Sequence, residues 1–236
     1  MILKKNYFRI PLTFTEESID YNIDYSVNNL IKGYVCVVDI NVLASTYYDD
    51  EYLKIIRDAT FNTCDGSFIA FLLNIKYGKK YYSYNGPEIF KKFVKNNNYR
   101  QMLIGSSSQD FDLLKKSLKK NSHLYNLSIP FNTVDEFDYE EISSLINKIK
   151  PDLIWVMLGA PKQEQFIKRL IPKLDHGILF GSGAALNFYF NRTRNRKFSI
   201  LGLRFIWLER LFLDPKKQIG RIFKFFMVLP KIIRDA

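Results

Sequence analysis

From Gln101 onward the chain alternates short apolar runs with segments of helical period, and this alternation restricts the fold more than any other feature. Gln101–Ile104 reads as a strand, Gln109–Lys120 as a helix and Leu124–Pro130 as a strand. Glu136–Lys150 reads as a helix whose acidic first turn and basic last turn suit its dipole. Asp152–Leu158 (strand), Pro161–Lys173 (helix) and Gly177–Phe180 (strand) continue the series. Strands separated by helices of about 10–15 residues imply βαβ units, hence an α/β fold with a mostly parallel sheet covered by helices on both faces. Upstream, Tyr34–Val38 (YVCVV) reads as a buried strand. Thr15–Leu30, Asp49–Ala59, Gly66–Ile75 and Pro87–Lys95 read as helices, the last with Pro at its first position.

In such sheets ligands bind at the carboxyl ends of the strands. The loops to search are therefore DINV after Val38, GSSSQD with Gly105, LGAPKQE with Gly159, and GSGAALN with Gly183. Three of them place Gly and small or polar residues before a helix, where free backbone N–H groups could hold a phosphate. A plain βα turn also wants Gly, so each loop alone is weak. None forms GxGxxG or GxxxxGK[ST], which disfavours an NAD-dependent oxidoreductase and a P-loop enzyme.

Hydrophobic residues make up 47% of 236, enough for one large domain or a domain with an appendage. Cys36 and Cys64 lie in or beside apolar segments, fit a reduced compartment and show no metal-ligand spacing. No signal peptide and no apolar run of about 18 residues is expected. The net charge is +11, but twelve Lys/Arg against three Asp/Glu fall between Arg192 and Ala236. The tail therefore either seeks an acidic surface or phosphates, or presents a solvated basic face.

Asp65, in FNTCDGSF, is either an N-cap for the apolar helix that follows or a carboxylate poised to take a proton. Gln163 and Glu164 stand in the first turn after Pro161, where Glu suits the dipole and a Gln amide can pair with a base edge or sugar hydroxyls. His123 and His176 are assigned no catalytic role. From Gln218, the residues Ile219, Ile222, Phe223, Phe226 and Met227 form an apolar helical stripe, with Lys217, Arg221 and Lys224 on another face. Such a helix lies in an anionic membrane interface or packs on the core.

Taken together, these segments resemble the WecG/TagA/CpsF glycosyltransferases, glycosyltransferase family 26. LGAPKQEQFI (Gly159, Pro161, Gln163, Glu164), CDGSF (Asp65, Gly66), NGPEIF (Gly86), DIN (Asn41), GSGAALNFYFN and WLERLFLDP match that family's blocks in order, from about Ile10 to the C-terminus. The resemblance implies a Rossmann-like core over residues 1–191 and a membrane-associating C-terminal appendage over residues 192–236. It implies inverting, metal-independent transfer of a hexosamine or hexose from a UDP-sugar to a polyprenyl-diphosphate-linked sugar. The enzyme would be cytoplasmic and peripheral on the inner face of the cell membrane, serving surface polysaccharide synthesis.

UDP-sugar is then the donor substrate, and no cofactor, metal or nucleic acid is expected. Asp65 is implied as general base, and Arg210, Lys217 and Arg221 as the cations that the appendage delivers over the site. Asn41, Gly66, Gly105, Gly159, Gln163, Glu164 and Gly183 complete the expected binding set. The chain departs from the family pattern at Asn187 (usually Asp), at RNRKF (usually R-A-P-x-W), at Asp39 (Thr in some members) and at Lys217 (commonly Arg). A homo-oligomer built on the apolar tail stays open as a partner. The rival reading is a non-enzymatic basic module that binds membrane or nucleic acid, which leaves the Asp65 and Gln163/Glu164 blocks without a role.

Overall fold

The run GYVCVV has no charged side chain to offer water, and it forms an interior strand of the sheet. The fold is described by a computed structural model over residues 1–118, 123–192, 199–200, 203–204 and 215–235. In chain order the elements are β1 (Lys5–Tyr7), β2 (Ile10–Leu12), α1 (Glu16–Asn28), β3 (Gly33–Val38), α2 (Ile40–Ser45), α3 (Asp50–Arg57), β4 (Phe61–Cys64), α4 (Ser67–Tyr77) and α5 (Gly86–Phe93). They continue with β5 (Gln101–Ile104), α6 (Ser108–Ser117), β6 (Leu124–Leu127), α7 (Tyr139–Ile149), β7 (Leu153–Val156), α8 (Lys162–Leu170), β8 (Ile178–Gly181) and α9 (Ala185–Tyr189). The hairpin strands β9 (Ser199–Ile200) and β10 (Leu203–Arg204) and the helix α10 (Pro215–Asp235) follow.

Six strands form one sheet in the order β4-β3-β8-β7-β5-β6, and every pairing is parallel. All six carboxyl ends therefore share one edge. Successive strand residues point to opposite faces, and the core divides accordingly. Tyr34, Cys36 and Val38 join one cluster with α2, α3, α4, α7, α8 and α10, while Val35 joins the other with α1, α5, α6 and α9. The α/β reading with helices on both faces is thus observed.

Sequence and structure differ in four places. β4 (FNTC) was not anticipated, because four residues carrying Asn62 and Thr63 show no strand pattern; both are fully buried, and Asn62 Nδ2 donates to the Pro11 and Ile56 carbonyls at 2.8 and 2.9 Å. DINV is only partly a loop: Ile40–Ser45 is helical, with Asp39 as its cap. The helix expected from Glu136 begins at Tyr139, after a separate 3-10 turn Val134–Glu136, because Asp138 accepts from the Glu141 N–H at 2.9 Å and restarts the backbone. The short β1–β2 hairpin lies in a segment that read as mixed.

The C-terminal helix is seated on the sheet domain. Val228 and Ile232 are buried in the core, each such side chain contributing about 1.5–3 kcal/mol. Three hydrogen bonds reach its backbone carbonyls: Tyr48 Oη to Lys224 at 2.7 Å, Lys76 Nζ to Arg234 at 3.2 Å and Phe8 N to Asp235 at 3.0 Å. Among the described residues no helix is long and apolar enough to cross a membrane.

Candidate active site

The carboxyl ends of the four neighbouring strands β4, β3, β8 and β7 open onto one cleft of about 580 Å³. Its walls include Asp39 and Asn41 after β3, Asp65 after β4, Gly159 and Gln163 after β7, and Gly183 after β8. A larger groove of about 810 Å³ lies between α1 and α5, but Lys92 there is paired with Glu16 at 2.7 Å and with Asp20, and no residue at a strand's carboxyl end lines it. The strand-end cleft is the one where buried polar groups converge.

Asp65 directly follows β4, and its backbone N–H donates to the Val38 carbonyl at 2.9 Å, which ties it to the end of β3. Its side chain is half-buried. Gly66 follows with φ of +129°, a region that residues with a Cβ rarely adopt, and then α4 begins without a side-chain cap. Asp65 is therefore not the N-cap of this helix. Asp39 is the cap of α2: its Oδ1 accepts from the N–H groups of Asn41 and Val42 at 2.8 Å each. Asn41 Nδ2 donates to the second Asp39 oxygen at 3.3 Å, which holds the amide at the cleft.

The floor is built by Gln163, with Glu164 buried beneath it. Gln163 Oε1 accepts from the Gly159 N–H at 3.1 Å and from the Gly183 N–H at 2.9 Å, so one buried amide ties the β7 and β8 loops together. Its Nε2 donates to Glu164 Oε1 at 2.7 Å, and Tyr52 Oη donates to Glu164 Oε2 at 3.1 Å. The fit is close, since a Cβ on Gly181 would stand 2.7 Å from Gln163 Nε2. Glu164 is wholly buried, and loss of water pushes its carboxyl up to about 7. The hydrogen bonds from Gln163 and Tyr52 pull the other way, while the Asp39 charge adds to the rise.

These placements revise the sequence reading. Gln163 lines the cleft, but its carbonyl oxygen is engaged by two backbone N–H groups, and Glu164 lies beneath the floor. The Gly159 and Gly183 N–H groups, nominated for a phosphate, point at Gln163. Gly105 does not line the cleft; it follows β5, the next strand outward, and Leu158 packs against it, 2.8 Å from where its Cβ would be. Gly66 does not line the cleft. The Lys162 ammonium lies over the Phe131 and Phe137 rings at 4.9 and 5.2 Å and donates to the Asn132 carbonyl.

Lys224 of α10 lines the cleft beside Tyr48. The sequence placed Lys224 on a basic helical face with Lys217 and Arg221, a signal that went unused for the site. Arg210 lies outside the described residues, as do the side chains of Lys217 and Arg221, whose backbone belongs to α10. Among the described residues no group of three His, Cys, Asp or Glu side chains converges as metal ligands do. Chemically, the cleft combines the carboxylates that follow β3 and β4, a pair of loops locked at fixed spacing and a cation brought from the far end of the chain.

Residues 8–236 match the glycosyl transferase WecG/TagA/CpsF family. An N-acetylglucosaminyldiphosphoundecaprenol N-acetyl-beta-D-mannosaminyltransferase of Bacillus subtilis (strain 168) is similar to this chain, 22% identical over 202 residues that cover 84% of this chain and 78% of the relative. The protein of the same description in Staphylococcus aureus (strain NCTC 8325 / PS 47) is 21% identical over 214 residues, 89% of this chain and 82% of the relative. With nearly its whole length in the match and Asp65, Asn41 and Gln163 brought to one cleft, the chain belongs to the WecG/TagA/CpsF family and is a glycosyltransferase.

Proposed function

We propose that the enzyme transfers an N-acetylhexosamine, as in its relatives N-acetylmannosamine, from a UDP-sugar to a polyprenyl-diphosphate-linked sugar, with inversion and without a metal ion. The observation that carries this reading is that Asp65, the locked β7 and β8 loops and Lys224 line a single cleft. Asp65 takes the proton from the acceptor hydroxyl. The resulting oxygen attacks the anomeric carbon from the face opposite UDP, and the bond to the diphosphate breaks with its electron pair leaving on UDP. Lys224, with Lys217, Arg221 and Arg210 of the same C-terminal segment, supplies positive charge to the departing diphosphate.

Residues 192–236 act as an appendage that completes the site and rests on the membrane surface where the lipid-linked acceptor lies. The enzyme is accordingly peripheral on the cytoplasmic face. The relatives' acceptor, GlcNAc-diphosphoundecaprenol by name, supports this acceptor class.

The test is transfer from UDP-N-acetylmannosamine to a GlcNAc-diphospholipid analogue, with the product anomer read by NMR. Asp65→Asn is expected to lower turnover by about 10²–10⁴-fold, the usual contribution of a general base. UDP binding by calorimetry is expected to stay unchanged. Wild-type turnover in that variant would remove Asp65 from the mechanism.

A further inference from the structure

The inner side of α10 packs through Phe225, Val228 and Ile232, but its outer side is not polar. Phe223, Phe226, Met227 and Ile233 stay 66%, 58%, 63% and 51% exposed. At 100° per residue Phe223 lies nearly opposite this packed side, Met227 and Phe226 lie to either side of Phe223, and Ile233 lies to one flank. Beside this helix runs α4. Phe68 meets Phe225 edge-to-face at 5.6 Å between centroids. Lys76, eight residues further along α4, donates to the carbonyl of Arg234, nine residues further along α10. These two contacts join α4 to α10 at points about two turns apart along each helix, roughly 12 Å.

Helix α4 buries Ile69, Ala70 and Leu73 and turns Phe71 and Ile75, one helical turn apart, to the outside at 37% and 67% exposure. Both helices thus direct apolar side chains away from the same surface of the domain. The rim is basic: Lys76, Lys79 and Lys80 at the end of α4, and Lys231 and Arg234 on α10, are all exposed. Asp235, the carboxylate on this stretch of α10, is paired with Arg234 at 3.0 Å.

Isolated exposed apolar residues need no explanation, but contiguous ones across two neighbouring helices mark a docking surface. We propose that α4 and α10 together form the face that rests on an anionic lipid bilayer, with Phe71 and Ile75 entering the interface alongside Phe223, Phe226 and Met227. The lysines of the rim meet the lipid phosphates. Charge argues for lipid over a second copy of the chain, since a symmetric dimer on this face would set one cationic rim against another. The inference rests on the lipid-linked acceptor proposed above and extends the contact from the C-terminal segment to a helix of the sheet domain. It also explains the position of Lys224, which lies on α10 between the apolar face and the cleft.

The test uses the full chain in flotation with phosphatidylcholine vesicles, with and without phosphatidylglycerol. Wild type is expected to float only with the anionic lipid. Phe71→Glu/Ile75→Glu and Phe71→Ser/Ile75→Ser are each expected to lose at least about tenfold in partitioning, since insertion depends on buried apolar area. Both are expected to keep the wild-type thermal midpoint and turnover on a water-soluble acceptor analogue. Wild-type flotation by both α4 variants, with loss in Phe223→Glu/Phe226→Glu, would remove α4 from the face and leave the proposed reaction standing. Wild type that floats with neither lipid, or that forms a dimer dissociated by the α4 variants, would overturn the lipid proposal. Absence of sugar transfer to the soluble acceptor by wild type would instead count against the reaction itself.

Discussion

The wall of the cleft made by the β7 and β8 loops is held from below by buried hydrogen bonds between side chains and backbone, whereas the wall made by α10 is laid on from outside by a few apolar side chains and three hydrogen bonds to its carbonyls. On the first wall, Gln163 and Glu164 are almost without solvent, and the chain Tyr52–Glu164–Gln163 ends on two backbone N–H groups. On the second wall, Lys224 and most of its neighbours on the helix are exposed. The difference shows how one site can combine fixed and conditional parts. Geometry that must not vary is made inside the fold, where an unpaired polar group is expensive. The cation that the proposed reaction sets against the departing diphosphate is carried by an element whose outer face keeps Phe223, Phe226 and Met227 exposed.

Removal of the central tie on the first wall tests this contrast most severely. Gln163→Ala leaves the Gly159 and Gly183 N–H groups without their acceptor and is expected to lower unfolding free energy by about 2–4 kcal/mol, measured in urea. A loss near zero would mean that the loops hold their spacing without the amide.

The next effect comes from Glu164. Its carboxyl sits near 7 in the fold against an ordinary 4.5, so the native state holds a proton that the unfolded chain has released. Its contribution to stability is full below about pH 4.5 and is lost as pH rises through about 7, on the order of 3 kcal/mol in all. Glu164→Gln is expected to flatten that part of the pH–stability profile while keeping the acceptor for Gln163 Nε2. An unaltered slope between pH 4.5 and 7 would show that the group does not titrate there.

The smallest expected effect belongs to the second wall and sharpens the comparison by its nature. Lys224→Met is expected to lower kcat/KM about tenfold, equivalent to about 1.4 kcal/mol of transition-state stabilisation, with no shift in thermal midpoint. A fall in stability without a fall in turnover would reverse the assignment of fixed and conditional parts.

Particular elements show where sequence reading reached and where it stopped. Long elements with a clear period, such as α1, α3, α8 and the strands from β5 to β8, lie within a few residues of where the sequence placed them. β4 escaped because its polar residues are satisfied by distant carbonyls, a solution that no local pattern encodes. For α10, the period revealed an amphipathic helix, but Phe223, Phe226 and Met227 face outward while Val228 and Ile232 turn inward. A helix that is apolar on more than one side does not declare which side its neighbours will cover.

The sequence by itself determined the α/β class, the strand-end location of the site and the nomination of Asp65, Asn41 and Gln163. The class and the location follow from local period, and the three nominations from motif blocks that resemble the family's in order along the chain. Only tertiary structure decided that Gln163 clamps two loops, that Glu164 is buried beneath them, that Gly105 stands behind Leu158 and that Lys224 reaches the cleft. Each of these depends on which strands become neighbours and on what lies between them, and strand order in a parallel sheet is set by packing across the whole chain rather than by any segment of it.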